Sequence, residues 1–315
     1  MIKGLAITPP VLGRISIGKV VEKNGMRLPE KDDQFTITSQ VQTRDGWVLH
    51  PLDEHLRKDQ GGKIRSIPVR LLFNDPDLNF RAEYCLFDRT SGRPLCVGNG
   101  ETCKRSTSEG LQSLPCPSPD GCPLAKGGNC KPYGRLNVAI GDDDLLGSFV
   151  FRTTGFNSIR TLSARLSYLQ ALSGDRLACL PLEIRLRGKS TRQSHGTPIY
   201  YVDLILRTGL SMEEALAQAN TLDRARRDAG FDQTALDAAA RDGLLNGAFE
   251  DSDEEAEQVL EEFYPEATVT STPQTTAISS YSSRKPKRDK PTLHDLILQR
   301  THSLQDQPVA PSNQP

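Results

Sequence analysis

The spacing of apolar residues predicts strands through much of the first two thirds of the chain. Segments Arg14–Val21 and Gln34–Ser39 alternate between apolar and polar positions. Lys63–Phe73 alternates in the same way, and Pro68 within it predicts an edge strand or a bulge, because proline has no amide hydrogen to donate. Glu83–Phe87 fits either a short strand or a helical turn, and the sequence leaves these alternatives open.

Two hairpins are predicted farther along the chain. Arg135–Ile140 and Gly147–Thr153 alternate on either side of a turn at Asp142–Asp144. Leu180–Leu186 and Ile199–Leu206 alternate likewise, and a long polar link joins them. Strands that follow one another through turns are typical of antiparallel pairing, so a β-rich core is expected.

One helix is predicted between the two hairpins, where apolar residues recur at spacings of three and four. These residues are Ile159, Leu162, Leu166 and Leu169. Asn157 or Ser158 is expected to cap its N-terminus, and Gly174 is expected to follow its last residue. This helix should pack one apolar stripe on the sheet.

The pattern changes after residue 207. Ser211 and Glu214 form a capping box that predicts a helix to about Asp228, and Asp232 is expected to cap another that ends near residue 243. Residues 250–262 are strongly acidic, and residues 267–290 are rich in Ser, Thr and Pro. Such composition favours disorder. Residues 292–304 fit one short amphipathic helix, with Leu293, Leu296 and Ile297 as a candidate partner-binding motif.

We therefore predict an α+β fold with three parts. A β-rich core domain spans 1–207 and carries a cysteine-rich insertion at 96–131. A helical, acidic extension spans 208–265, and a disordered tail spans 266–315. Charge divides in the same place: Thr208–Pro315 holds 10 basic and 19 acidic residues, a net charge of −9, and the residues before it have a net charge of +8. A basic body is compatible with a nucleic-acid contact or with ordinary solvated faces.

The cysteine pattern favours a structural metal over disulfides. Five of the seven cysteines lie between Cys96 and Cys130, in a segment with almost no periodicity and many Gly and Pro residues. Such a long irregular segment needs something to order it, and zinc (Zn2+) held by thiolates would do so. Three ligands, Cys116, Cys122 and Cys130, follow from the clustering, and the fourth is Cys96 or Cys103. A site made only of thiolates is closed and structural, and a set of free thiols is the alternative.

The remaining cysteines, histidines and acidic residues give weaker signals. Cys85 and Cys179 lie in apolar contexts and are expected to be buried small residues. His50 and His55 are spaced by five with no third ligand in view, which favours a surface loop over a hydrolytic metal centre. The sequence contains no P-loop, G-x-S-x-G or dinucleotide fingerprint, so we expect no enzyme activity and no small-molecule substrate.

The second hairpin carries a basic run on its polar face and tip. These residues are Arg185, Arg187, Lys189, Arg192 and His195. The spacing suits contacts along a phosphate backbone or an ordinary solvated sheet face. With no apolar run of signal or bilayer-spanning length, a cytoplasmic, bacterial protein is expected, without a membrane partner.

Several short motifs occur in a characteristic order. Gly13-Arg14-Ile15 precedes the run from Asp33 to Thr38 (DQFTIT), which is followed by Cys96-Val97-Gly98-Asn99-Gly100-Glu101. Cys116-Pro117, Cys122 and Cys130-Lys131-Pro132 come next, then GRLNV from Gly134 and GSFVFRTTGFNS from Gly147. From about Gly13 to Thr208 the chain resembles the recombination directionality factor-like proteins of phages that use large serine integrases. The resemblance is closest to a branch carried by integrative and conjugative elements, often labelled only "hydrolase or metal-binding protein".

The resemblance implies a fold, a ligand set and an activity. The family's cysteine-glycine motif falls on Cys96, which selects Cys96 as the fourth zinc ligand and leaves Cys103 in reserve. The implied fold is a β-rich domain with a zinc-bound insertion and one packed helix. The implied activity is non-enzymatic: characterised phage members bind the integrase on DNA and switch it from integration to excision.

Three hypotheses follow for function. The first is a zinc-stabilised accessory protein of a mobile genetic element that regulates a recombinase or integrase of the same element through protein and DNA contacts. The second is a protein that binds single- or double-stranded DNA directly, in replication or repair of such an element. The third, which the residues support least, is a metal-dependent hydrolase.

Overall fold

The computed structural model describes residues 9–23, 26–43, 46–142, 147–190 and 198–243, together with Val259, Phe263 and Tyr264. The chain divides into two compact units, Met1–Ser271 and Thr272–Pro315, and the second lies entirely outside the described residues. No helix in the described ranges is long and apolar enough to cross a bilayer.

Twelve strands join in one mixed sheet within the described ranges. They are β1 (Val11–Lys23), β2 (Met26–Thr43), β3 (Gly46–Leu49), β4 (Ser66–Arg70), β5 (Phe80–Phe87), β6 (Pro94–Gly98), β7 (Thr102–Thr107), β8 (Gly110–Pro115), β9 (Cys130–Ile140), β10 (Ser148–Thr153), β11 (Leu182–Lys189) and β12 (Ile199–Leu206). The main path runs β3-β2-β1-β10-β9-β5-β6-β7-β8, and β4, β11 and β12 branch from it.

Six helices accompany the sheet in the same ranges. They are α1 (Pro51–Asp59), α2 (Pro76–Asn79), α3 (Ser118–Gly121), α4 (Phe156–Ser173), α5 (Met212–Asp228) and α6 (Gln233–Gly243). Two 3-10 turns, Pro123–Gly128 and Leu177–Cys179, complete the regular structure.

Strand β9 is the centre of the sheet because it pairs with three other strands. It is antiparallel to β10 along one side and to β5 along the other, and its last residues pair with β4. Strand β4 also pairs with β11, which in turn pairs with β12, so the sheet forks at the C-terminal end of β9. Strands β1 and β10 pair in parallel, with Ile15 opposite Phe151.

One face of the main path forms the hydrophobic core. Alternate residues of neighbouring strands point to it, including Ile15, Leu136 and Phe151, each at most 1% exposed. Helix α4 covers this face with Leu162 and Leu166, which are equally buried. The fork folds around the same helix, since residues of β4, β11 and β12 belong to the same apolar cluster. The core thus lies between α4 and the branched sheet, and Leu56 of α1 and Ala219 of α5 also belong to it.

Helix α1 is held on β2 by a buried charged pair. Asp53 is 1% exposed, and its Oδ2 accepts a hydrogen bond of 2.8 Å from the backbone amide of Ile37. Arg57 bonds Asp53 and also donates to the backbone carbonyl of Phe35 at 3.0 Å. A buried carboxylate with this many partners fixes the position of the helix.

Most predicted elements are confirmed. Both hairpins form, as β9–β10 and β11–β12, and the capping box at Ser211 and Glu214 begins α5. Gly174 follows α4 in the left-handed conformation, with φ of 54°. The mixed fold with a large β-sheet and several helices agrees with the α+β expectation.

The structure corrects three local predictions. Helix α4 is capped by Gly155, because the Ser158 hydroxyl instead accepts a hydrogen bond from the Val202 amide of β12. Strand β4 lies between β9 and β11 and is not an edge strand. Pro68 is tolerated there because its pairing with β9 ends at this residue, where its carbonyl accepts from the Gly141 amide. Glu83–Phe87 belongs to strand β5 and is not a helical turn.

The segment from Cys96 to Lys131 is more regular than predicted. It contributes the end of β6, all of β7 and β8, and the start of β9, so that the main sheet extends through it. Its strands lie at the margin of the sheet and carry polar residues on both faces, which hides them from an apolar alternation test. The predicted tail helix at 292–304 and the predicted disorder at 267–290 lie outside the described residues.

Candidate functional site

The five clustered cysteines are brought to one end of the sheet by strands β6 to β9. Cys96 lies on β6, Cys103 on β7 and Cys130 at the start of β9. Cys116 follows β8 directly, and Cys122 follows α3. Sheet pairing and two short turns therefore gather residues that are up to 34 positions apart in the chain.

The register places three of these cysteines on a common face. Leu86 of β5 pairs with Cys96 on one side and with Cys130 on the other. Across the next pairing Cys103 lies opposite Gly98, two residues from Cys96 and thus on the same face. Strand pairing alone therefore accounts for the shared orientation of Cys96, Cys103 and Cys130.

Glycine at position 98 permits the close approach of the other thiols. A Cβ atom there would lie 2.6 Å from the Cβ of Cys103 and 3.0 Å from the Sγ of Cys116. The Cys116 amide donates to the carbonyl of Glu101 at 2.8 Å, which fixes the turn after β8. Any side chain at position 98 would separate the thiols.

The five thiols share one electrostatic environment. Burial, together with the smaller effect of the neighbouring sulfurs of Cys96, Cys122, Cys116 and Cys103, raises the pKa of Cys130 to about 11. Burial, followed by a hydrogen bond with Cys96, raises the pKa of Cys103 to about 11. Arg105 bonds Cys96, which raises the pKa of Arg105. In this arrangement the thiols face one another and one cation.

The five cysteines are suitable zinc ligands by residue type, but their side chains are not arranged around a common point. No set of three or more His, Cys, Asp or Glu side chains within the described ranges lies close enough together to hold a metal ion. The donors are thiols only, as a closed structural zinc site requires.

Cys85 and Cys179 lie apart from this cluster. Both are buried, at 3% and 4% exposure, as the sequence predicts. The Sγ of Cys179 lies 3.5 Å from an Nη of Arg226.

The predicted nucleic-acid contacts are partly neutralised. Arg185 bonds Glu183 and Thr208, and Arg187 lies 3.4 Å from Asp203. Lys189 is exposed at the end of β11, whereas Arg192 lies outside the described residues, as do His195 and the candidate partner-binding residues Leu293, Leu296 and Ile297. An arginine already bonded to a carboxylate has less charge to offer a phosphate.

The histidines and the acidic turn have structural roles. The Nδ1 atom of His50 accepts a hydrogen bond from the Leu52 amide at 3.2 Å and so caps α1, and its ring packs edge-on against Phe149. His55 is exposed beside Asp59. Asp142 pairs with Arg70 and Arg207 at 2.7 and 2.6 Å. His50 therefore begins α1 and His55 lies within it, so these two residues are not in the surface loop that the sequence predicts.

A polar depression of about 910 Å³ lies between α4, α5 and α6. Its wall carries both arginine and aspartate side chains, and several are paired with each other, including Arg227 with Asp223 and Arg241 with Asp75. Mutual pairing of this kind accounts for the charges without a ligand.

The sheet face opposite the core carries four buried or half-buried arginines, which none of the motifs above predicts. They are Arg14 on β1, Arg81 on β5, Arg135 on β9 and Arg152 on β10, and we call this surface the arginine face. An apolar pocket on the same face, the aromatic groove, is formed by Cys85, Phe87, Val97 and Tyr133. The alternation that predicts β1 and β9 contains the relevant signal, since the residues between the apolar positions include these arginines.

The aromatic groove holds a segment from the C-terminal part of the chain. Val259, Phe263 and Tyr264, which we call the anchor, are 2%, 0% and 4% exposed. The Tyr264 hydroxyl donates to the Phe87 carbonyl at 2.9 Å, and the Lys131 ammonium donates to the Phe263 carbonyl at 3.0 Å.

Comparison with known proteins identifies the family from residues outside the anchor. Neither a curated protein sequence nor a solved structure matches the chain. A family model described as "Gp3-like: Recombination directionality factor-like" matches residues 12–207, which include the whole cysteine cluster and the arginine face. The description indicates a regulator of recombination in phages or other mobile elements that works with the recombination machinery or DNA. Because the match spans more than half of the chain, this protein belongs to the recombination directionality factor-like family.

Proposed function

We propose that this protein is a non-enzymatic recombination directionality factor of a mobile genetic element, acting on a recombinase or integrase of the same element. The observation that carries the proposal is the family match over residues 12–207. Characterised members resembling this chain bind their integrase on DNA and shift it from integration to excision. Protein contact is the main mode of action in this proposal, since Arg185 and Arg187 already bond acidic side chains.

Zinc is the structural part of the proposal. Cys96, Cys116, Cys122 and Cys130 would hold the ion as thiolates, with Cys103 as the reserve ligand, and the ion would offset the mutual repulsion of neighbouring thiolates. The support is the convergence of all five thiols at the end of β6 to β9. The ion would tie β8, α3 and the 3-10 turn to the sheet.

Recombination measured in vitro tests the regulatory role. The recombinase encoded by the same element is incubated with attachment-site DNA, with and without the full chain, and integration and excision products are quantified. We expect the chain to raise excision, to lower integration and to co-purify with the recombinase. Unchanged product ratios together with no co-purification would refute the proposal. A salt-sensitive shift of naked DNA, abolished by R185Q/R187Q, would instead favour direct DNA binding.

Metal content tests the zinc site separately. Purified chain should contain about one zinc per molecule, and Cys116→Ser with Cys122→Ser should remove it. Cys179→Ala, which changes a buried cysteine outside the cluster, is the matched control and should keep the metal. Comparing Cys96→Ser with Cys103→Ser identifies the fourth ligand. Metal-free wild-type protein that keeps its fold and its effect on recombination would refute the zinc site alone.

A further inference from the structure

The aromatic groove is built like a peptide-binding site. The rings of Phe87 on β5 and Tyr133 on β9 lie 5.5 Å apart at an angle of 79°, and they form two of its walls. Val97 on β6 lies opposite Cys85 and adds a third wall. Concave sites with apolar walls and a few polar groups at their margin are typical of ligand binding.

The shape of the groove fits an aromatic ring that follows an apolar residue by four positions. Phe263 is completely buried, with its ring edge-on to Phe87 at 4.9 Å and to Tyr133 at 6.0 Å. Edge-to-face packing is a favourable arrangement for aromatic pairs. Val259 and Phe263 both have helical backbone, and helical residues four apart lie on the same side. One side of a helical turn therefore enters the groove.

Backbone carbonyls at the margin of the groove recognise a tyrosine. The Tyr264 hydroxyl donates to the Phe87 carbonyl at 2.9 Å and lies 3.4 Å from the Asn129 carbonyl oxygen. Strand β5 pairs with β9 only as far as Leu86, and Pro94, opposite Phe87 on β6, has no amide hydrogen to donate. The Phe87 carbonyl is therefore available to a side-chain donor such as a phenol.

Two cations complete the contacts with the aromatic pair. Arg89 lies 4.4 Å over the ring of Tyr264, and Lys131 lies 5.3 Å from the ring of Phe263. The Lys131 ammonium also donates to the Phe263 carbonyl at 3.0 Å, so it contacts the ring and the backbone of one residue. Cations stabilise aromatic faces that lie beside them. These contacts favour a Phe-Tyr pair over aliphatic residues.

The groove and its occupant belong to different parts of the chain. The groove residues named above lie within residues 12–207, which the family model matches, whereas the anchor lies beyond them. Fifteen residues, 244–258, join α6 to the anchor. If the anchor leaves, the apolar walls become exposed together, and contiguous apolar surface of this kind favours another ligand.

We propose that the aromatic groove is a peptide-recognition site for a partner protein whose segment carries an apolar residue four positions before a Phe-Tyr pair. The anchor is the ligand of this site within the same chain, and it competes with the partner's segment. A tethered ligand competes at an effective concentration of about 1 mM, so the partner's segment binds weakly until the anchor is displaced. The inference is independent of the recombinase and of zinc.

Binding of a synthetic peptide to the full chain tests the site. The probe is a fluorescein-labelled peptide of residues 256–266 (AEQVLEEFYPE), followed by fluorescence anisotropy. The variant F263A/Y264A should bind it, and wild type should bind it about tenfold more weakly, because the anchor of wild type occupies the groove. Since a docked, tethered ligand has a dissociation constant below its effective concentration, the variant should bind the peptide below about 1 mM.

Matched controls accompany this measurement. F156A/Y168A removes two exposed rings of α4 and should bind the peptide as weakly as wild type. A peptide with alanine at both aromatic positions should bind neither chain. Circular dichroism confirms that each variant is folded. Absence of binding to folded F263A/Y264A at about 1 mM peptide, or equal binding to that variant and to wild type, would overturn the proposal.

A double-mutant cycle locates the peptide in the groove. In the F263A/Y264A chain, adding Arg89→Ala should weaken peptide binding about threefold, because the cation no longer lies over the tyrosine ring. With a peptide in which this tyrosine is alanine, Arg89→Ala should have no further effect. A loss of the same size with both peptides would mean that Arg89 does not contact the ligand and would overturn the groove as its site.

Tyr264→Phe provides a variant that keeps both rings of the anchor. Because it removes only the bond to the Phe87 carbonyl, it should loosen the anchor and raise the apparent affinity for the peptide about threefold over wild type. An affinity equal to that of wild type would contradict competition between anchor and peptide.

Light scattering distinguishes a second copy of the chain as the occupant. We expect wild type and F263A/Y264A to be monomeric alike, since the anchor fills the groove of its own chain. A wild-type dimer that becomes monomeric in F263A/Y264A would show exchange of anchors between copies and would overturn the proposal.

Discussion

The two faces of the central sheet are closed by different chemistry. On the core face, α4 packs Leu162 and Leu166 against aliphatic and aromatic side chains that alternate along the strands. On the opposite face, the same strands present arginines, and an aromatic groove holds three residues from far along the chain. The covering helix of the core face lies within the family match, whereas the anchor of the other face lies beyond it.

The difference separates the contacts that hold the whole fold from those that hold only the anchor. Apolar burial depends on shape and contact and does not respond to ions, so the core face is closed permanently. Interactions between charged groups are screened by salt, so the face that carries the arginines responds to ionic strength in a way that the core face does not. Substitutions on the core face should therefore act on global stability, and those at the anchor should act mainly on its local packing in the aromatic groove.

Leu162→Ala is expected to have the largest effect. Leu162 is completely buried between α4 and the sheet, and its truncation should lower the free energy of unfolding by about 2–5 kcal/mol. Urea denaturation measures the loss. Tyr168→Ala changes a 57% exposed residue of the same helix and should alter stability by about 0.5 kcal/mol or less. Equal losses for both variants would contradict a core closed by one face of α4.

Gly134→Ala tests the packing limit of the core face. A Cβ at this position of β9 would lie 2.7 Å from the ring of Phe80 and 3.1 Å from Ile159 of α4. We expect a loss of about 1–3 kcal/mol from overpacking, again measured by urea denaturation. At Gly188 the nearest atom to a new Cβ is 3.4 Å away, in the ring of Tyr200, so Gly188→Ala should be close to neutral. A neutral Gly134→Ala would show that the helix is free to shift.

Tyr264→Phe tests the opposite face. It removes the hydroxyl that donates to the Phe87 carbonyl and leaves the ring in place. The docked anchor should lose about 0.5–1.5 kcal/mol, seen as faster hydrogen exchange of the anchor with little change in global unfolding. Tyr168→Phe, at an exposed position, is the control. A global loss equal to the local one would mean that the anchor is part of the cooperative core.

Asp142→Asn should have the smallest effect, and it measures how much the ion pairs of Asp142 with Arg70 and Arg207 stabilise the fold. Hydrogen bonding from Arg207, together with the charge of Arg70, lowers the pKa of Asp142. Its stabilisation is present above the unfolded-state pKa and is lost as the pH falls through the lower folded-state value. Because Asp142 is 44% exposed, we expect less than about 1 kcal/mol at pH 7 and a shallower loss of stability from pH 5 to pH 3. An unchanged acid limb would contradict the pairing.

The sequence predicts elements well where local signals are strong. Alternation in Arg135–Ile140 and Leu180–Leu186 is enough to predict strands, because a strand with one buried face must repeat every two residues. The capping box at Ser211 is read correctly because it involves only neighbours in sequence. The apolar pattern fails to predict β6 to β8, because these strands at the margin of the sheet have no apolar face. The sequence also does not predict α1, whose position depends on the long-range hydrogen bonds of Asp53 and Arg57.

The sequence alone determines the cysteine cluster, the family and the order of the main strands and helices, since each is a matter of residue type at short spacing. Only the tertiary structure places Cys96 and Cys130 on either side of Leu86, because that neighbourhood results from strand pairing. In the same way it places four arginines from distant positions on one face and the anchor beside them. Sequence patterns report which face of a strand is apolar; the pairing of strands decides which polar residues on the other face become neighbours.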